Sequence, residues 1–216
     1  EKVLKKLKNK DEIIFQKYIN NPDYAGVVFT REINSNAPYY SINLDTSGKT
    51  DTITSGANGT QIKNIIICRN YAHKSKYRKL LTVIKNIEDL VDDNRLDIEF
   101  CVKNKNIFIV QSRPLKRVRG KVDDKLVYSA LRNIEKKFSN LQNSPVTIPG
   151  KFTAFSNMSD WNPAEMIGVK PSLLSLSLYS ELITDSVWSE QRKNYLYQDL
   201  KPNPLMVNFL GCPYID

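Results

Sequence analysis

Between Leu96 and Arg113 the chain alternates. Leu96, Ile98, Phe100 and Val102 interleave with Asp97, Glu99 and Cys101; Phe108, Val110 and Ser112 interleave with Ile107, Ile109, Gln111 and Arg113. Period two predicts two strands, and the polar link Lys103-Asn104-Lys105-Asn106 predicts that a turn joins them into a hairpin. Further strands are expected over residues 25–31, 39–44 and 62–68, the last one buried, and over the terminal residues 211–216. Apolar residues at spacings of three and four (Leu80, Leu81, Ile84, Ile87, Val91) predict a helix over 74–92, with Lys and Glu on its other face. Similar spacing predicts helices over 124–141 and 171–191, and Ser159-Asp160 before Asn162-Pro163-Ala164-Glu165 reads as a capped helix start with Pro163 in the first turn. The pattern as a whole is α+β: an antiparallel sheet with helices over residues 1–120, then a mainly helical region over 121–216. The basic stretch 115–121 marks the boundary.

Hairpin register decides what chemistry the alternation carries. If Asn104, Lys105 and Asn106 form a three-residue loop with Asn106 left-handed, Glu99 faces Gln111 and Asp97 faces Arg113. A two-residue loop would put Glu99 and Gln111 on opposite faces. With the first register, two carboxylates, an amide oxygen and a guanidinium converge. Hard oxygens suit Mg²⁺, and a planar forked cation suits a phosphate. The same four residues also describe an ordinary surface hairpin with an Asp–Arg cross-strand pair.

Composition narrows the setting. Of 216 residues, 41% are hydrophobic and 25% charged, as in a globular protein, and the length allows one large domain or two modest ones. No apolar run is long enough for a membrane span. The three cysteines, Cys68, Cys101 and Cys212, are odd in number and widely spaced, which points to reduced thiols in a cytoplasm. The formal charge of +9 favours polyanions in general. Gly48-Lys49-Thr50 lacks the first glycine and spacer of a phosphate loop. The lone histidine, His73, sits in Tyr-Ala-His-Lys at the expected start of a helix, with no acid or Cys beside it in sequence.

Leu96-Asp97-Ile98-Glu99-Phe100 followed by Ile107-Phe108-Ile109-Val110-Gln111-Ser112-Arg113-Pro114 resembles the end of the ATP-grasp nucleotide domain of phosphoenolpyruvate synthases and pyruvate phosphate dikinases. Gly26-Val27-Val28-Phe29-Thr30-Arg31 is similar to a nucleotide-half strand of that family, without its following Pro, and Gln16-Lys17-Tyr18-Ile19 to another strand. The resemblance implies that ATP and Mg²⁺ are the cofactors. Glu99 and Gln111 hold the metal against the ATP phosphates, Arg113 contacts the terminal phosphate, and Asp97 assists. It also turns Arg31 toward the triphosphate, although a strand-end surface arginine fits as well. Asp51 stands, one methylene short, where relatives carry a ribose-gripping Glu, and the glycine pattern there thins to Gly48. The implied parent phosphorylates a histidine on a mobile phosphohistidine domain, which then phosphorylates pyruvate, held on a pyruvate-binding domain, or another acceptor. With no initiator Met, phosphate-binding Lys, phosphohistidine segment or pyruvate barrel in view, residues 1–216 are expected to be a piece with little or no turnover alone.

Two other readings stay open: a basic, non-catalytic domain for nucleic acid or another polyanion, and a degenerate ATP-grasp scaffold. The former has the charge and tyrosines behind it but no recognition-helix or stacking motif. In the second region the segment from Ser159-Asp160 to Pro213-Tyr214-Ile215-Asp216 is similar to one behind the ATP-grasp domain in some bacterial members. Asp160, Glu165 and Arg192 there form either a site or ordinary caps and ion pairs.

Overall fold

In the first half of the chain, β-branched and aromatic residues fall at alternate positions of five segments, and these pair into one antiparallel sheet. The strands are β1 (Tyr24–Phe29), β2 (Tyr39–Asp45), β3 (Ile62–Cys68), β4 (Leu96–Lys103) and β5 (Asn106–Pro114), in the spatial order β3-β2-β1-β4-β5. The computed structural model describes residues 15–45, 62–115, 120, 122–143, 152–157, 162–201 and 203–215. It divides into two compact units, Glu1–Asp124 and Lys125–Asp216. Helices combined with an antiparallel sheet make the fold α+β.

One face of the sheet makes the core. Val28, Ile42, Ile98 and Phe100 cluster with Leu80, Leu81 and Ile84 of helix α1 (Arg78–Val91). Gly26 lies in the same layer, where a Cβ would stand 2.6 Å from the Asn43 carbonyl oxygen and 2.8 Å from the Phe100 ring. Only glycine leaves room for that ring so close to the strand.

Four expectations change in this unit. β3 is an edge strand with Ile66 65% exposed, because nothing described covers its outer side. Residues 16–19 run beside β5 without joining the sheet. The helix expected over 74–92 begins as a 3₁₀ turn, Arg69–Lys74, which holds His73, and becomes α1 at Arg78. Finally, Glu88 is buried, not solvated. It accepts two hydrogen bonds from the Arg69 guanidinium, at 2.6 and 2.7 Å, and one from the Tyr40 hydroxyl at 3.4 Å. Arg69 also lies over the Tyr40 ring and donates to the Thr30 carbonyl. This cluster ties α1 to the sheet.

The hairpin of β4 and β5 differs from expectation in a way that matters for the site. Lys103 pairs with Asn106, so the loop has two residues, Asn104 (φ 51°) and Lys105 (φ 65°), both left-handed. That is the turn whose twist suits a hairpin. Regular pairing from this turn would set Glu99 opposite Val110. A β-bulge between Glu99 and Phe100 skips Val110 and sets Glu99 opposite Gln111. The skipped Val110 carbonyl is satisfied by the Gln16 side-chain amide, which donates to it at 3.0 Å. Lys105 carries a Cβ in a conformation that costs about 1 kcal/mol. Lys105→Gly is therefore expected to raise stability by about that amount, read as a higher urea midpoint on β4 amide signals. A lowered midpoint counts against the turn.

The second unit holds α2 (Asp124–Asn143) from its second residue on, α3 (Pro163–Ile167), α4 (Leu173–Tyr179) and α5 (Val187–Lys193). A π-helical turn, Ser180–Thr184, interrupts what the spacing predicts as a single helix over 171–191. Asn162 and Ser172 cap α3 and α4, accepting from the Ala164 and Ser175 backbone N–H groups. The terminal strand finds a partner the sequence did not announce. β6 (Met206–Phe209) and β7 (Cys212–Ile215) form a hairpin around left-handed Leu210 and Gly211. Leu176, Tyr179, Leu205, Met206 and Ile215 form this unit's core. No helix among the described residues is long and apolar enough to cross a membrane.

Candidate functional site

The sheet face away from α1 carries polar residues in register. Val27 of β1 stands opposite both Asn43 and Glu99, and Glu99 stands opposite Gln111. One pair along, Phe29 stands opposite Ser41 and Asp97, and Asp97 opposite Arg113. Side chains two residues apart on a strand share a face. The two rows therefore line one cleft of about 520 Å³, whose walls are Val27, Phe29, Asn43, Asp97, Glu99, Gln111 and Arg113.

Asp97 and Arg113 form the fixed part of this cleft. Arg113 donates from Nε at 2.8 Å to Oδ2 of Asp97, and its Nη2 lies 2.7 Å from the same oxygen as an ion pair. The Asp97 side chain is 10% exposed and that of Arg113 is 54% exposed. The hydrogen bond and charge of Asp97, with Glu99 beyond, hold the Arg113 pKa above its ordinary value. A guanidinium has five N–H donors, so one carboxylate partner leaves donors over for a ligand. The other Asp97 oxygen, Oδ1, is buried with no hydrogen-bond partner among the described residues. The backbone before Asp97 is clamped: the Thr30 hydroxyl donates to the Asn94 carbonyl at 2.8 Å and accepts from the Leu96 N–H at 2.7 Å.

Beside this cleft, and sharing Val27 and Glu99 with it, lies a more apolar cavity of about 450 Å³. Ala25, Cys101, Phe108 and Val110 line it, and the segment Gln16 to Ile19 passes along its edge. Burial pushes the Cys101 thiol pKa up, so it is a neutral wall. Polar and apolar halves thus sit side by side on one sheet face.

The structure brings together Asp97, Glu99, Gln111 and Arg113. It does not bring Arg31 to them. Arg31 is buried, neither on the surface nor lining the cleft, and its Nη1 donates to Asp124 Oδ2 at 2.8 Å while Nε donates to Asn36. A buried guanidinium requires such partners. Asp51 and Gly48 lie outside the described residues, as does Asp160. No ion pair joins Glu165 and Arg192 among the described residues; Arg192 lies over the Trp188 and Tyr197 rings. Asn43 is the cleft residue that sequence reasoning passed over. Its signal was its place in an alternating strand, two residues on from Ser41.

Mg²⁺ fits this donor set in one respect only. Among the described residues no group of three or more His, Cys, Asp and Glu gathers to hold a metal. Mg²⁺ usually takes one or two carboxylates together with waters and substrate phosphates. Glu99 and Gln111, opposite each other on β4 and β5, match that smaller set in residue type.

No protein-family model and no curated protein matches this chain. Fold and site together define an α+β protein with an acid, amide and guanidinium cleft on the open face of a five-stranded antiparallel sheet.

Proposed function

We propose that this sheet face binds a nucleoside triphosphate together with Mg²⁺. More particularly, the first unit is the C-terminal part of an ATP-grasp domain from a phosphotransferase resembling phosphoenolpyruvate synthase. The observation that carries the reading is the opposition of Glu99 to Gln111 and of Asp97 to Arg113 beside an apolar cavity. The cavity volume falls in the range of small-molecule sites and suits a planar base. Glu99 and Gln111 would hold the metal, which on binding neutralises phosphate charge. Arg113 offers its free N–H groups to the terminal phosphate, and Asp97 holds that fork in place. Phosphoryl transfer needs such positioning and charge neutralisation more than covalent participation. In this reading the first unit contributes nucleotide binding, and the carrier histidine and the pyruvate acceptor site lie elsewhere in the parent protein.

Titration calorimetry of the full chain tests this. ATP is expected to bind in the presence of Mg²⁺ and more weakly with EDTA, while Mg²⁺ alone gives no heat. The β4 and β5 amide signals are expected to shift on binding. Binding of ATP that is indifferent to Mg²⁺ supports a degenerate scaffold instead. Salt-sensitive binding of RNA or DNA that survives Arg113→Ala supports a basic polyanion-binding domain.

A further inference from the structure

The second unit contains a site of different chemistry. Phe138 of α2, Phe155, and Phe209 and Tyr214 of the β6–β7 hairpin meet edge to face, with centroids 5.3 Å apart for Phe155–Phe209 and 5.6 Å for Phe209–Tyr214. Such geometry is the favoured one for rings and makes a firm floor. The floor is anchored at its ends. Lys137 Nζ donates to the Asn208 carbonyl at 2.7 Å and lies over the Phe209 ring. The Gln142 amide exchanges two hydrogen bonds with the Thr153 backbone.

These rings do not fill the space they enclose. With Ile134 they line an open cavity of about 660 Å³, a size typical of small-molecule sites. Among the described residues Lys170 is the one charged side chain that lines it, and no described carboxylate does. An apolar floor with a cation at the rim selects an amphiphile with an anionic head. A cationic head meets Lys170 with like charge, and a neutral one gains nothing from it. We propose that this cavity binds the acyl chain of a free medium-chain carboxylate, with its head group on Lys170.

Cys212 also lines the cavity and is half-buried, so it reports occupancy. The full chain is treated with N-ethylmaleimide and the modified peptides are resolved by mass spectrometry. Octanoate is expected to slow alkylation of Cys212 and to leave that of Cys68, on β3 of the other unit, unchanged. Octanol is expected to protect less, and octyltrimethylammonium least. Lys170→Ala is expected to raise the half-protecting octanoate concentration about threefold to fivefold, the size of an exposed ion pair. The same substitution leaves octanol protection unchanged, which also shows that the variant folds. Equal protection by all three amphiphiles overturns the proposal. So does equal slowing at Cys68, or protection by phosphatidylglycerol vesicles with none by octanoate.

Discussion

Replacing Glu88 by Ala is expected to cost the first unit about 3–5 kcal/mol, the usual result of removing one partner of a buried ion pair. The Glu88 side chain is 1% exposed and that of Arg69 is 11% exposed. Truncating the acid takes from a largely buried guanidinium its carboxylate and its two short hydrogen bonds. Urea unfolding followed on amide signals of β2 and β4 reads the first unit alone. Replacing both partners, as Arg69→Met with Glu88→Leu, is expected to recover part of the loss, since apolar pairs of similar volume often match a buried ion pair. Recovery stays partial because Arg69 also serves the Thr30 carbonyl. A single-variant loss below about 1 kcal/mol would place this pair with exposed ones and remove the reason given for how α1 is held.

The second large effect lies in the cleft. If Arg113 receives the terminal phosphate, Arg113→Ala weakens Mg-ATP binding about tenfold to a hundredfold, the range for losing a hydrogen bond to a charged group. Arg113→Lys restores only part, because an ammonium is a point charge and not a fork. Removing Arg113 also leaves Asp97 buried and unpaired. Arg113→Ala is therefore compared with a variant that adds Asp97→Asn; an equal loss in both assigns the effect to the phosphate. Glu99→Gln keeps an oxygen donor and the size but drops the charge, so titrations with and without Mg²⁺ are expected to converge. Wild-type affinity in Arg113→Ala would show that the nucleotide, if bound, has its phosphates elsewhere.

Reading the strands from alternation succeeded where a strand has one clear apolar row, as in β2 and β4. It failed for burial at β3, because alternation does not tell an edge from a centre. The helix α1 was visible from its spacing, but the role of Glu88 was not. Leu81, Ile84 and Glu88 fall on one stripe, which was the available clue; the partner Arg69 lies outside the helix and meets it only in the folded chain. The turn was misjudged for a related reason. Asn-rich links suit two- and three-residue loops alike, and the energies that separate them are small.

The sequence by itself determined the antiparallel hairpin, the α1 helix, and which side chains were available to meet across β4 and β5. Only the tertiary structure decided that Glu99 meets Gln111. The two-residue turn alone would have sent them to opposite faces, and the bulge at Val110 brought them back. That bulge leaves a backbone carbonyl in need of a donor, and Gln16, 94 residues earlier, supplies it. A bulge that meets a partner so distant in sequence leaves no mark in the local pattern of apolar and polar residues.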